Sequence, residues 1–272
     1  MSSRGSTRRR IEPQSGDPFS PSREFPIRCV VRAHSAQTEV QVHSHPWAQM
    51  VFSEHGTVRV QADRKMFTVP PWSAVWIPAG TLHLAVVAQE ATLIAVHLLC
   101  DPGGRRDQDG WRVCQVLQVR PLLRELVKAI CEDERGALPS ERYASVVELV
   151  MIELRTAPRV ALGVSMPEDK RLRSVCDAFL ADARQDRALA EVASGAGASV
   201  STIHRLFQSE LGCSFAGWRK QVLLARAFAL AAEGSSVSQI AMDLGYSSVS
   251  SFSYMVTQML GLPPSKVLGR QR

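Results

Sequence analysis

The feature that most constrains the fold lies in the C-terminal third of the chain, where two patterns of paired helices follow one another. In the first pattern, an apolar periodic stretch ends at Gly195 and Gly197, and Ser199 stands where it can cap the next helix. The apolar positions are Leu189, Ala190, Val192 and Ala193 before the turn and Ile203, Leu206 and Phe207 after it. The outer face of the second helix carries hydrogen-bonding side chains suited to a DNA groove, namely Ser201, Thr202, His204, Arg205 and Gln208.

The second pattern repeats this plan closer to the C-terminus. Gly245 ends a short helix at a position that favours a left-handed residue, and a longer helix follows from Val249 to Leu260. The apolar residues are Val237, Ile240, Ala241 and Leu244 in the short helix and Phe252, Met255, Val256 and Met259 in the longer one. Between the two patterns, the segment from Phe215 to Glu233 predicts one continuous helix, which would fix the distance between them.

Three runs of this region resemble the DNA-binding domain of the AraC/XylS family: GASVSTIHRLFQSELGCSFAGWRKQVLLARA (197–227), VSQIAMDLGYSSVSSF (237–252) and GLPPSKV (261–267). The resemblance implies a seven-helix module whose two recognition helices enter successive major grooves, about 34 Å apart. It places base-reading positions on Ser201, His204 and Arg205 in the first helix and on Val249, Ser250, Ser251, Ser253 and Tyr254 in the second. Ser199, Thr202 and Gln208 complete the predicted DNA-binding set.

One departure from the family pattern concerns the second recognition helix. Tyr254 stands where the family usually has Arg, and residues 249–260 contain no Lys or Arg. The helix therefore lacks the side chains best suited to paired contacts with guanine, and we expect the first helix to dominate specificity. A helix-turn-helix pattern in a single copy is weak evidence for DNA binding, and Arg205 would serve equally as a phosphate clamp. Two copies at fixed spacing strengthen the DNA-binding interpretation.

The periodicity changes from helical to alternating between Arg28 and Cys100. Short β-type runs are separated by Gly, Pro or polar turns: CVVRA, TEVQVHS, AQMVFSE, TVRVQAD, MFTVP, AVWIP, HLAVVA and TLIAVHLL. The pattern is typical of a small antiparallel barrel or jelly roll. The fold class predicted for the whole chain is therefore α+β and multidomain, with an N-terminal antiparallel β-barrel and a helical hairpin before an all-α C-terminal domain.

Two motifs on this β region, His43-x-His45-x3-Gln49-x6-Gly56 and Pro78-x-Gly80-x2-His83, resemble those of the cupin superfamily. The resemblance implies a site formed by His43, His45, Gln49 and His83. Gln in place of the usual Glu removes a negative charge, and Val87 replaces the usual Asn. Three histidines and an amide oxygen suit a divalent ion such as Zn, Ni, Fe or Mn, so a metal is a candidate cofactor although none is required.

The alternative is that these histidines make ordinary hydrogen bonds around a metal-free effector pocket. A small barrel with polar groups on its inner face suits a small aromatic or heterocyclic effector. Three tryptophans stand near these motifs and either line such a pocket or belong to the core: Trp47, Trp72 and Trp76.

Two helical stretches are predicted between the β region and the C-terminal module. Residues 113–131 form the first, with Pro121 breaking or beginning the helix, and residues 140–155 form the second, capped by Ser140. Their apolar stripes predict a homodimer interface or packing against the barrel. The predicted domains are a disordered arm (1–25), an effector-binding barrel (26–105), a helical linker and dimerisation region (106–162, with a linker at 155–169) and a DNA-binding domain (163–272).

Charge and cysteine content agree with a cytoplasmic DNA-binding protein. The formal net charge is +6, and residues 168–272 hold 12 basic and 9 acidic side chains, which suits a polyanionic partner. Arg8, Arg9 and Arg10 in the arm either touch DNA non-specifically or are solvated. The six cysteines show no CxxC spacing, which indicates reduced thiols, and no apolar run approaches the length that spans a bilayer.

The sequence therefore predicts a transcriptional regulator, not an enzyme, that binds double-stranded DNA under the control of a small-molecule effector in the barrel. A second copy of the chain and RNA polymerase are expected partners. The combination of the C-terminal motifs with the HxHxxxQ motif resembles regulators of neighbouring efflux or metabolic genes. The alternative is a metal-dependent cupin enzyme with an accessory DNA-binding domain. A third possibility is a DNA-binding activator whose barrel is vestigial and binds no ligand.

Overall fold

The structure is a computed structural model that describes residues 9–13, 19–55, 57–69, 73–87, 90–99, 111–132, 140–160 and 163–268. Two compact units are present, one of Met1–Asp63 and Val69–Val160, the other of Arg64–Thr68 and Ala161–Arg272. The predicted residues Gly56, Trp72, Cys100 and Arg8 lie outside the described residues.

The described strands follow the alternating runs of the sequence closely. They are β1 (Arg9–Ile11), β2 (Ile27–His34), β3 (Thr38–His43), β4 (Ala48–His55), β5 (Val58–Ala62), β6 (Lys65–Val69), β7 (Ser73–Ile77), β8 (His83–Val87), β9 (Ala91–Leu98), β10 (Gln115–Gln118), β11 (Arg159–Val160) and β12 (Gly163–Ser165). The described helices are α1 (Pro121–Glu132), α2 (Ser140–Thr156), α3 (Lys170–Ala181), α4 (Leu189–Val192), α5 (Val200–Leu211), α6 (Phe215–Ala232), α7 (Val237–Asp243), α8 (Val249–Leu260) and α9 (Pro264–Val267).

The first unit contains two sheets, as in a jelly roll, which confirms the predicted fold class although the sheets do not close into one barrel. The strands of one sheet that lie in this unit have the order β1-β3-β8-β5, which we call the front sheet, and the other sheet has the order β11-β10-β7-β4-β9-β2, which we call the back sheet. In the described residues of these sheets, pairing is antiparallel except between β1 and β3, which run parallel.

The back sheet is buried on both faces, because alternate side chains of its strands face either the helical hairpin or the front sheet. On β4, the side chains of Ala48, Met50 and Phe52 join the apolar cluster that contains residues of α1 and α2. Gln49 and Val51, on the other face, border a cavity. The helical hairpin therefore covers one face of the sheet and leaves the other to the candidate site.

One buried tyrosine joins the hairpin to the back sheet. Tyr143 of α2 donates its hydroxyl proton to the carbonyl of Ile27 at 2.7 Å and accepts the Ile27 N–H at 3.2 Å. Both backbone groups of Ile27 are thus satisfied by one side chain, which fixes α2 against β2.

Several segments differ from the sequence-based expectations. Residues 113–120 are not helical, because Gln115–Gln118 pairs with β7 as a strand, and a short apolar run does not distinguish strand from helix. Pro121 begins α1, where its missing N–H costs no hydrogen bond. The expected linker at 155–169 contains β11 and β12, paired with β10 and β6 respectively.

The N-terminal arm is also more ordered than expected at Arg9–Ile11. This segment forms β1, which pairs with β3, and Arg10 lies 3.2 Å from the Glu39 carboxylate. The prediction of a disordered arm over residues 1–25 therefore does not hold at β1, and residues 1–8 and 14–18 lie outside the described residues.

In the described part of the chain, the second unit carries the helices α3 to α9, in agreement with the seven-helix module that the resemblance implied. Four aromatic rings from α3, α5 and α6 lie 5.6–6.4 Å apart at its centre, Phe179, Phe207, Phe215 and Trp218. The Trp218 indole donates to the carbonyl of Ser165 at 2.8 Å, which ties α6 to β12. This shared aromatic centre packs α3, α5 and α6 against one another.

Two further observations concern the thiols and the lengths of the helices. Among the described residues, the cysteines form no disulfide, and burial raises the pKa of the Cys176 and Cys213 thiols. No described helix is both long enough and apolar enough to cross a membrane.

Candidate functional site

A cavity of about 80 Å³ lies between the front and back sheets. Its walls are mainly aliphatic side chains such as Val30, Val51, Val60, Ile77 and Leu93. The polar and charged side chains that border it are Glu12, Arg32, His34, His43, Gln49 and His83. A mostly apolar chamber with a few polar groups is the usual form of a ligand site.

His43 reaches the cavity because of a β-bulge in β3. Strict alternation from Val40, which borders the cavity, would turn Val42 inward and His43 outward. The register between β3 and β8 shifts between Val40 and His43, so Val42 is exposed and His43 stands opposite His83. The ring centroids of His43 and His83 are 4.2 Å apart.

The structure brings the three predicted histidines together. One ring nitrogen each of His43, His45 and His83 lies within 4.8 Å of those of the other two. His45 follows β3, and its ring stacks on Trp47 with an interplanar angle of 4°. Gln49 on β4 completes the predicted set, with its Oε1 3.2 Å from Nε2 of His45.

A fourth histidine, His97 on β9, was missed by the sequence analysis. It is 1% exposed, and its Nε2 lies 3.2 Å from the Gln49 side-chain nitrogen. His97 belongs to neither cupin-like motif, but its alternation with Leu93 and Ala95, which line the cavity, is the signal that places it on the inner face. We call His43, His45, His83 and His97, with Gln49, the histidine cluster.

Each histidine of the cluster donates its Nδ1–H to a backbone carbonyl. The acceptors are the carbonyl oxygens of Gln41 for His43 (2.8 Å), Trp47 for His45 (2.6 Å), Thr81 for His83 (2.9 Å) and Phe19 for His97 (2.8 Å). A carbonyl oxygen only accepts hydrogen bonds, so Nδ1 is the protonated nitrogen in every neutral ring. Each neutral ring therefore keeps the lone pair on Nε2.

Burial keeps most of these rings neutral. It lowers the pKa of His83 to about 3 and that of His97 to about 4, and it also lowers the pKa of His43. The neighbouring histidines add to this effect because like charges repel. At neutral pH these three rings therefore offer lone pairs rather than positive charge.

The cluster fits a divalent metal ion by the chemistry of its donors. Neutral imidazoles held through Nδ1 by carbonyls are the usual form of metal-binding histidines in proteins. The Nε2 atom of His83 is buried and has no hydrogen-bond partner among the described residues. A buried lone pair without a partner is costly, and a cation would satisfy it.

Of the three tryptophans that were expected near the pocket, the two described ones do not form an aromatic pocket. Trp47 stacks on His45, but Trp76 is on the opposite face of β7, where it contacts Trp111 at a centroid distance of 4.7 Å. A cavity of about 80 Å³ is also smaller than the chambers of roughly 300 Å³ or more that hold drug-sized ligands. Aliphatic residues fill the space, so the cavity suits an ion or a very small molecule.

The second candidate site is the surface of α5. Ser199 caps this helix by accepting the Thr202 N–H at 3.2 Å, and Ile203 and Phe207 are fully buried. The exposed predicted residues on its outer side are Ser201, His204, Arg205 and Gln208, whereas Thr202 is half-buried. Ala190, predicted to be inward on the preceding helix, is exposed because α4 is a single turn that buries only Leu189 and Val192.

The surface of α8 has a different chemical character. Val249, Ser250 and Tyr254 are exposed, and Ser251 and Ser253 are half-buried. Ser248, which was not predicted, caps the helix by accepting the Ser251 N–H at 3.1 Å, and the Ser251 hydroxyl donates back to the Ser248 carbonyl at 2.8 Å. The α8 surface therefore presents hydroxyls, one aliphatic group and one phenol.

The turn between α7 and α8 depends on Gly245. Its φ is +73°, and a Cβ added there would lie 2.6 Å from a carboxylate oxygen of Asp186. Both the backbone conformation and the close carboxylate exclude a side chain, which explains the glycine that the sequence placed at this point.

Two models of known protein families match the chain. Residues 25–146 match the model of the AraC-like ligand binding domain, and residues 192–270 match that of a helix-turn-helix domain. Together the two matches cover most of the chain. The chain belongs to the AraC family. It is a transcription regulator with a ligand-binding domain and a DNA-binding domain of the helix-turn-helix type.

Two known regulators are similar to the chain over most of their length. The chain is 26% identical to the HTH-type transcriptional regulator NimR of Escherichia coli (strain K12) over 254 residues, which are 93% of this chain and 91% of NimR. It is 23% identical to the virulence regulon transcriptional activator VirF of Yersinia enterocolitica, over 85% of this chain and 84% of VirF. The crystal structure of an apo single-substitution variant of ToxT from Vibrio cholerae is similar over 92% of this chain and 98% of that chain, with 13% identity and a TM-score of 0.37.

Replacement of Gly245 by Ala tests the turn of the second helix-turn-helix. We expect Gly245→Ala to lower the free energy of unfolding by about 1–3 kcal/mol, because it adds backbone strain and a contact with Asp186. Urea denaturation followed by circular dichroism measures the change. Gly197→Ala is the matched control, since Gly197 has φ +65° but open space around the added Cβ. Equal losses in the two variants would mean that Asp186 moves aside.

Proposed function

We propose that this AraC-family regulator recognises its operator mainly through α5 and that the histidine cluster is the site of effector control. The observation that carries the proposal is that one unit presents two exposed helix faces suited to DNA, while the other holds a small cavity bordered by histidine lone pairs. A chain that reads DNA acts in the cytoplasm beside the chromosome, and RNA polymerase is a proposed partner there.

The exposed side of α5 has the chemistry of a major-groove reader. Arg205 offers a planar guanidinium that can pair with the O6 and N7 atoms of guanine, and Gln208 suits adenine. Ser201 and His204 add further donors on the same exposed side. We therefore assign base recognition to Ser201, His204, Arg205 and Gln208, while Ser199 and Thr202 position the helix through its cap.

The α8 surface is proposed to read shape and methyl groups rather than guanine. It carries no Lys or Arg, so it adds little to phosphate neutralisation. Val249 suits a thymine methyl, and Ser250, Ser253 and Tyr254 supply hydroxyls. Ser251 already bonds within the helix cap, so we assign it a supporting contact.

Replacing Arg205 tests DNA recognition by α5. The operator is first obtained by selecting genomic fragments with the purified protein at physiological salt. We expect Arg205→Ala to weaken operator binding by about 1–3 kcal/mol and to flatten the preference at one base pair. Fluorescence anisotropy with single-base operator variants measures both effects.

Arg23→Ala is the charge-matched control, because Arg23 is an exposed arginine that precedes β2 in the other unit and lies outside the helical hairpin. It should leave operator affinity unchanged. A uniform loss across all operator variants in Arg205→Ala would assign Arg205 to a phosphate, and no loss would remove it from the interface.

Replacing His43 tests effector control by the cluster. We expect His43→Ala to retain operator affinity, because α5 and α8 are untouched, but to lose the response of a reporter gene to chelator or added zinc in the medium. Val42→Ala, the exposed neighbour that points away from the cavity, is the control. Unchanged regulation in His43→Ala would favour a vestigial ligand-binding domain.

The enzyme alternative makes a different prediction for the same variant. A metal-dependent cupin enzyme would convert a substrate and lose that turnover with His43. The groups that contact the described cluster are imidazoles, one amide, Trp47 and backbone carbonyls, which favours binding over proton transfer. If an ion binds, His43, His45, His83 and Gln49 would hold it, and it would supply a positive charge at the cavity wall.

A homodimer formed through the helical hairpin is also proposed. Leu149 is 43% and Ile152 is 41% exposed on α2, and Leu122 on α1 is 52% exposed. Apolar side chains exposed on neighbouring turns of α2 suit the same surface of a second copy.

Substitution on α2 tests the dimer. We expect Leu149→Lys with Ile152→Lys to convert a dimer into a monomer in sedimentation velocity, because lysine cannot be buried in an apolar interface without cost. Leu99→Lys is the control, since Leu99 is similarly exposed (39%) but lies after β9. A dimer that survives the double substitution would place the interface elsewhere.

A further inference from the structure

The Gln49 amide lies between two histidines that both present lone pairs. Its Oε1 is 3.2 Å from Nε2 of His45, and its nitrogen is 3.2 Å from Nε2 of His97. Because both rings donate through Nδ1 to carbonyls, neither Nε2 of a neutral ring carries a proton. The amide donates to His97, and its oxygen then faces the lone pair of His45.

Rotation of the amide does not remove this mismatch. Exchanging its oxygen and nitrogen would satisfy His45 and place the oxygen against the lone pair of His97. One amide has a donor end and an acceptor end, whereas its two neighbours are both acceptors. A positively charged species beside the amide oxygen, either a proton on the facing ring or a metal ion, is therefore needed to satisfy that oxygen.

The geometry favours a metal ion on the His45 side over a second proton there. A proton on His45 would satisfy one contact and leave the buried Nε2 of His83 without a partner. An ion would take lone pairs from His43, His45 and His83 together with the Gln49 oxygen. The 3.2 Å between Nε2 of His45 and Oε1 is close to the spacing of two adjacent ligands whose bonds to one ion are each about 2.1 Å.

We propose that His97 is a positioning residue that turns the Gln49 oxygen toward the other three histidines and thereby equips the cavity for a divalent ion of the zinc, nickel or cobalt class. By accepting the amide N–H, it leaves the oxygen free for the ion. Three imidazoles and a neutral oxygen suit these ions, whereas Mg²⁺ and Ca²⁺ prefer carboxylates. The inference rests on the proposed function for its regulatory meaning, because the ion would occupy the proposed effector site.

Loss of His97 is expected to weaken ion binding, because it would stabilise the ion-free form of the cluster. Without His97, the amide can rotate and donate to His45, which satisfies the amide and occupies a ligand lone pair. Binding an ion would then leave the amide N–H buried without a partner. A carboxylate at position 49 has no N–H, so it would not need His97.

The experiment titrates chelator-stripped, full-length protein with Co²⁺ and follows the visible absorption of the bound ion, with elemental analysis after dialysis against Zn²⁺. We expect one ion per chain, and we expect His97→Leu to lower the affinity about 10–100-fold. His97→Gln should restore most of the affinity, because its amide oxygen can accept the Gln49 N–H. In the Gln49→Glu background, His97→Leu should not lower the affinity.

His34→Leu is the matched control, since His34 is buried and borders the same cavity but lies outside the cluster. It should bind Co²⁺ with wild-type affinity. Thermal unfolding of the stripped variants shows whether each one folds, and His97→Gln keeps the test usable if His97→Leu does not.

Three results would overturn the inference. They are the absence of Co²⁺ and Zn²⁺ binding to the wild type, wild-type affinity in His97→Leu, and an equal loss from His97→Leu in the Gln49→Glu background. An equal loss in that background would show that His97 has a merely structural role. The proposed function is tested separately: it fails if His43→Ala regulates the reporter gene as the wild type does, whether or not the protein binds an ion.

Discussion

Burial of the back sheet on both faces is the constraint on which the rest of the ligand-binding domain depends. Alternate residues of one strand serve the apolar contact with the helical hairpin, and the others face the cavity. Polar groups on the cavity side therefore have to be satisfied within the domain. Each histidine meets this requirement by donating its Nδ1–H to a backbone carbonyl, either two residues away or, for His97, at Phe19. The Nε2 lone pairs of the neutral rings then remain close together.

The ligand-binding site and the DNA-binding surface differ in charge. Three rings of the histidine cluster are neutral at neutral pH, because burial lowers the pKa of His43, His83 and His97. The DNA-binding domain places Arg205 on exposed α5, where a guanidinium stays charged and solvated until it meets DNA. The α8 surface is neutral as well, so the salt dependence of operator binding should come mainly from outside that helix.

The elements that the sequence predicts well are those specified by local patterns. The alternating runs of β2 to β9, the cap at Ser199 and the left-handed Gly245 are read directly from neighbouring residues. His97 and the bulge before His43 are not, because each depends on a partner strand that is distant in sequence. Trp76 was placed near the pocket by proximity alone, whereas the pleat of β7 turns it toward the hairpin. The cavity volume depends on how all of these side chains pack and has no local signal.

Gln at position 49 changes how the cluster is held together. A carboxylate can offer either of two equivalent oxygens, but an amide offers one, so its orientation has to be set by a neighbour. That neighbour is His97 on β9, which is itself held by the carbonyl of Phe19 near the N-terminus. The cluster thus joins β4, β8, β9, the end of β3 and the segment around Phe19. Whatever occupies it must restrain these segments together, and a ligand as small as an ion is then sufficient to alter the stability of the whole domain.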